Sequence, residues 1–97
     1  MIRAIATDDK LTVSKVFGRA RYFAIFKGDD SEPTFLEGTY AAEHGAGTGA
    51  AALLAGQGVQ EAIGPEFGPK AQEALIQVGI ALTIAKAGTS FAELVQR

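Results

Sequence analysis

The chain has 97 residues, 47% of them hydrophobic and 21% charged, with a formal net charge of -2. That is one domain's worth of chain, apolar enough to close a core, and too acidic for a nucleic-acid partner held mainly by phosphate contacts. The absence of cysteine excludes disulfides, Cys-type zinc sites, thiolate-held iron-sulfur clusters and cysteine nucleophiles together.

Segment 2–7 is short and β-branched at Ile2, Ile5 and Thr7, which predicts a buried first strand closed by Asp8 and Asp9. Segment 22–27 is rich in aromatics and gives the strongest strand signal, and a third strand is expected over 34–40. The turn chemistry of 28–33 joins those two as an antiparallel hairpin. An Ala-rich helix over 50–55 follows a glycine-rich loop and stops at Gly56 and Gly58. A short strand is expected at 59–63. Pro69 then opens a helix over 70–78 with Ala71, Ala74, Leu75 and Val78 on one face. A last strand spans 80–86, and Ser90 with Glu93 forms a capping box for a helix through Phe91, Leu94 and Val95. Alternation of helix and strand in the second half requires parallel strands. The expectation is one α/β domain over 1–97 with a mixed sheet of about five strands and helices on both faces.

No leader pattern precedes Asp8, and no window approaches the roughly 20 apolar residues of a membrane span. A soluble cytoplasmic protein without a membrane partner is expected.

Segment 43–50 is the most unusual in the chain. Gly45, Gly47 and Gly49 alternate with Ala46 and Thr48 just before a helix. Uncovered backbone N–H groups and the helix dipole would suit an anion there, although a purely structural turn accounts for the same residues. A Walker A loop fails because no lysine follows the glycines, and a dinucleotide fingerprint lacks a convincing second strand. His44 is the single histidine, so it cannot make a zinc site alone. It could give one imidazole to a preassembled cluster or be an ordinary loop residue. Six of the nine Lys and Arg residues lie in the first 27 positions, and Lys15, Arg19 and Arg21 crowd one stretch. They form either a solvated hairpin or a positive rim for a small anion. Asp8 and Asp9 sit at the carboxyl end of a strand, where α/β sheets usually place ligand-binding groups, but acidic residues there are commonly turn formers.

Five short strings in register, 17–23, 44–47, 58–59, 68–71 with 79–80, and 88–89, resemble the dinitrogenase iron-molybdenum cofactor biosynthesis family, the group of NifX, NafY and the C-terminal part of NifB. The resemblance spans nearly the whole chain. It implies a ribonuclease-H-like fold and a non-enzymatic role: binding an anionic iron-molybdenum cofactor or related metal-sulfur cluster and carrying it between assembly proteins that donate and receive it. Relatives called orange proteins hold a molybdenum-copper sulfide cluster without covalent protein ligands. On this reading Arg19, Arg21 and the backbone of Gly45, Ala46, Gly47, Thr48 and Gly49 would stabilise the cluster, with His44 as candidate metal ligand. Recognition of a nucleotide or phosphorylated metabolite by the same loop, or a scaffold role without a small ligand, are the alternatives. A monomer or weak homodimer is expected, with an edge strand near 34–40 available for pairing.

Overall fold

The fold is described by a computed structural model covering residues 2–17, 20–28, 33–37 and 46–95. Its elements are β1 (Ile2–Thr7), β2 (Tyr22–Lys27), β3 (Thr34–Glu37), α1 (Ala46–Gly56), β4 (Glu61–Gly64), α2 (Pro69–Gln77), β5 (Ala81–Ile84) and α3 (Phe91–Val95). The strands form one sheet in the order β3-β2-β1-β4-β5. β1 pairs antiparallel with β2 and parallel with β4; β2 and β3 are antiparallel, β4 and β5 parallel. The mixed sheet and its helices are those the sequence leads one to expect.

Centrality explains the composition of β1. A strand flanked on both sides and covered on both faces has no polar face, and residues 4–7 are all buried. Ala4 and Ala6 point to one face and join Phe23, Ile25 and Ala62 beneath Leu54 of α1 and Leu75 of α2. Small residues under the helices let the two layers approach closely. Ile5 points to the other face with Phe26 and Ile63, where Phe91 and Leu94 of α3 cover them. Helices therefore lie on both faces.

The two longer helices end by the same device. Gly58 and Gly79 have φ of 74° and 80°, a left-handed conformation that costs a side chain energy. The next residue turns back in each case: the N–H of Val59 donates to the Leu54 carbonyl (3.2 Å) and that of Ile80 to the Leu75 carbonyl (3.0 Å). Val59 and Ile80 are thereby buried as each chain enters its strand.

Sequence and structure differ at several boundaries. β4 runs from Glu61 to Gly64, not 59–63, because Val59 is consumed in the turn-back and pairing starts at Arg3 opposite Glu61. β5 is likewise Ala81–Ile84, shorter than 80–86. α1 begins at Ala46, so Ala46, Gly47, Thr48 and Gly49 belong to its first turn and are not a loop before it. Val78 caps the end of α2 and is 47% exposed, so it does not share the buried face of Ala71 and Leu75. β3 is described to Glu37; the expectation for 38–40 lies outside the described residues. Among the described residues no helix is long and apolar enough to cross a membrane.

Candidate functional site

Connectivity gathers the site at one end of the sheet. β1, β4 and β5 finish there at Thr7, Gly64 and Ile84, and β2 starts there, with Tyr22 opposite Thr7. α1 and α2 each lead into the beginning of a strand at the opposite end, so both helices run back against the strands. Their first turns, at Ala46 and Pro69, face the same end as the finishing strands. The carboxyl ends of parallel strands are where open α/β sheets bind ligands, and a helix N-terminus carries partial positive charge. Two residues of the first turn of α1 are glycines, at 47 and 49.

A cleft of about 280 Å³ opens at this end, lined by Asp8, Asp9, Thr12, Val13, Ser14, Lys15, Ala87 and Gly88. One wall belongs to the connection from β1 to β2. That connection, described at residues 8–17 and 20–21, is a long excursion and not a tight hairpin. Its first part is stitched to the segment between β5 and α3: the Val13 N–H donates to the Thr89 carbonyl (2.9 Å), the Gly88 N–H to the Val13 carbonyl (2.9 Å), and the Phe91 N–H to the Leu11 carbonyl (3.0 Å). The second part plunges inward. Phe17 is 1% exposed and packs its ring 5.3 Å from Phe23 and 4.7 Å from Phe67.

Polar groups fix the excursion at its root. Asp9 Oδ1 accepts from the Leu11 N–H (2.9 Å), the Thr12 N–H (2.8 Å) and the Thr7 hydroxyl (3.2 Å), and Oδ2 accepts from the Thr12 hydroxyl (2.8 Å). The Leu11 and Thr12 N–H groups lead in holding the Asp9 carboxyl down at about 2, from an ordinary 3.8. The Thr7 hydroxyl, fully buried, also accepts from the Lys10 N–H (3.0 Å). Lys10 itself takes a left-handed φ of 66° and lays its ammonium 4.6 Å from the centre of the Tyr22 ring and 5.3 Å from that of Phe35. Asp8 Oδ1 accepts from the Arg21 N–H (2.9 Å), closing the two ends of the excursion against each other.

The described site residues fall into place as follows. Arg21 stands at the foot of β2 beside Asp8, and Ala46, Gly47, Thr48 and Gly49 form the first turn of α1 at the same end of the sheet. Arg19, His44 and Gly45 lie outside the described residues. Asp8 and Asp9 are turn-forming acceptors. Among the described residues no group of three or more His, Asp or Glu side chains could hold a metal ion. The cleft carries two carboxylates and one ammonium, so its side-chain charge by itself does not favour an anion; Asp8 and Asp9 accept from N–H groups of their own connection, and Lys15 is the one cation in the lining. The wall formed with 87–89 escaped sequence reasoning. Thr12 and Ser14 alternating with Val13 was its one sequence signal.

These features define a mixed α/β domain with a cleft, at the carboxyl ends of β1 and β5, lined by the segments that follow those strands. The chain belongs to the family described as dinitrogenase iron-molybdenum cofactor, whose model matches residues 1–97. Among solved structures it is similar to the apo form of the orange protein from Desulfovibrio gigas, at 28% identity and a TM-score of 0.89, covering 99% of this chain and 84% of that one. It is also similar to a putative NifB protein from Thermotoga assigned to the DUF35 family, at 31% identity and a TM-score of 0.75, covering 98% of this chain and 80% of that one. No curated protein matches the chain.

Proposed function

We propose that this protein is a non-catalytic carrier for an anionic metal-sulfur cluster, the iron-molybdenum cofactor or a relative of it, received from one cofactor-assembly protein and passed to another in the cytoplasm. One observation carries the reading: in a chain of this family, the glycine-rich first turn of α1 comes to the same end of the sheet as Arg21 and the cleft. A chain without cysteine offers a preassembled cluster no thiolate. It offers backbone N–H groups and guanidinium groups, which attract negative charge without bonding to metal. Few direct metal bonds suit cargo that must leave again. In this reading Arg19, Arg21 and the backbone of Gly45, Ala46, Gly47, Thr48 and Gly49 hold the cluster by charge and hydrogen bonds, and His44 supplies the one imidazole donor. The protein acts as a monomer or weak homodimer and takes neither nucleic acid nor membrane as partner.

The test is anaerobic reconstitution with iron, sulfide and molybdate, followed by gel filtration, metal analysis and an optical spectrum. A coloured species eluting with the protein at stoichiometric metal, weakened in Arg21→Ala and altered in His44→Ala, is the expected result. A colourless, metal-free protein would sink the carrier reading, and unchanged affinity in His44→Ala would remove the ligand role alone.

A further inference from the structure

We infer that Asp9 is the positioning residue of the cargo site: its carboxylate holds the wall of residues 12–15, which carries Lys15, in register with Gly88 across the cleft. The inference rests on the carrier reading for its cargo and on geometry for its mechanism. Four donors converge on one side chain, from Thr7 at the end of β1 and from Leu11 and Thr12 on the wall. The very next residue, Val13, is the one bonded in both directions to the opposite wall, through Thr89 and Gly88. Ser14 follows and donates its N–H back to the Ala6 carbonyl (2.8 Å), so the strip is pinned at its far side also. Between these pins the chain passes through Lys10 in a left-handed conformation, which relaxes unless the acceptor at residue 9 outweighs its cost. Without that acceptor the Leu11 and Thr12 N–H groups lose their partner, the turn opens, and the spacing of the two walls is no longer defined. Lys15 stands on that wall, so where an incoming anion would meet its ammonium depends on that spacing, as metal affinity depends on the hydrogen bonds that orient ligands.

The acceptor role separates from the charge. In Asp9→Asn one carboxamide oxygen still accepts from the two N–H groups, and its NH2 donates to a Thr12 hydroxyl that turns round; in Asp9→Ala nothing accepts. Both variants are titrated with tetrathiomolybdate, a metal-sulfide anion, with visible circular dichroism reporting bound geometry. Amide exchange of Val13 and Gly88 is followed in the ligand-free proteins. Asp9→Ala is expected to bind at least about tenfold more weakly, to lose the dichroic signature and to exchange the Val13 and Gly88 amides faster while those of Ile5 and Ala62 stay protected. Asp9→Asn is expected to stay within about threefold of the parent, as Asn replaces Asp in acceptor turns. Parent-like affinity in a folded Asp9→Ala overturns the inference. So does an Asp9→Asn as weak as Asp9→Ala, since charge and not acceptance would then matter. If the parent protein binds no tetrathiomolybdate, the carrier reading falls, and exchange alone decides on Asp9: unchanged Val13 and Gly88 amides overturn its positioning role. Should Asp9→Ala fail to fold, Thr12→Val removes one arm of the network and is read in the same two ways, with unchanged exchange and affinity as the refuting result.

Discussion

Replacing Phe17 by Ala removes the ring that anchors the second part of the 8–21 excursion. That ring is 1% exposed and lies 5.3 Å and 4.7 Å from the rings of Phe23 and Phe67. Truncating a buried Phe to Ala costs about 3–5 kcal/mol, of which each aromatic contact accounts for about 0.5–1.5 kcal/mol. A domain of this size is stable by only about 5–15 kcal/mol, so the variant gives up about a fifth of the total or more. In a thermal melt the same loss is a fall of about 12 °C or more. The neighbouring backbone supplies an internal control: a Cβ built on Gly64 would sit 3.0 Å from Phe17 Cδ1. Gly64→Ala should therefore cost about 1–3 kcal/mol by overpacking while the ring is present. In the Phe17→Ala background the added methyl meets a void, and the penalty should shrink by at least about 1 kcal/mol. Urea denaturation of the four proteins measures the cycle. A loss below about 1 kcal/mol for Phe17→Ala, or a strictly additive cycle, refutes this packing.

Acid should weaken the parent protein in a window set by Asp9. Because its carboxyl is lowered from 3.8 to about 2, its contribution is complete above the unfolded value and is lost as pH falls from 3.8 through 2; stability measured against pH in Asp9→Asn should lack that slope. At Lys10, glycine removes a left-handed strain of about 1–2 kcal/mol but also the ammonium over Tyr22 and Phe35, which is worth about 0.5–1 kcal/mol at an exposed site. Lys10→Gly should thus melt within a few degrees of the parent, while Lys10→Val, which keeps the strain and loses the ammonium, should melt clearly lower. Gly58→Ala should destabilise by about 1 kcal/mol or more, since φ is 74° and its Cβ would lie 3.6 Å from Ile2 Cδ1. Gly56→Ala, with open space around it, should be neutral or stabilise by up to about 1 kcal/mol, and equal melting temperatures for the two variants would contradict the assignment of the left-handed turn.

Elements that carry their own local signal were legible in the sequence. The aromatic run of β2, the proline that opens α2 and the Ser90 cap of α3, whose hydroxyl accepts from the Glu93 N–H at 3.4 Å, all depend on neighbours within four residues. That the strands of the second half run parallel follows from the alternation of helix and strand. Features that depend on distant partners were not legible. Asp9 reads as a turn residue from the sequence, and so it is, but its turn matters because Val13 beyond it pairs with Gly88 and Thr89. The start of β4 slipped by two residues because the turn-back at Gly58 uses up Val59, a β-branched residue that propensity assigns to a strand. Glycines 47 and 49 suggested a loop, and helical packing overrode their poor propensity. Arg21 and the first turn of α1 could be nominated from composition alone; that they share one end of the sheet is a property of the connections.

The stitching of Val13 to Gly88 and Thr89 also sets an order of events during synthesis. Strands β1 and β2 and helix α1 can meet early, since their contacts are made by residues that leave the ribosome early. The cleft closes late, after Phe91 has emerged, because one wall waits some 75 residues for the other. A nascent chain therefore passes the synthesis of residues 14–87 with Leu11, Thr12 and Val13 lacking their far partners, and its cleft takes shape only once residues 87–91 have emerged.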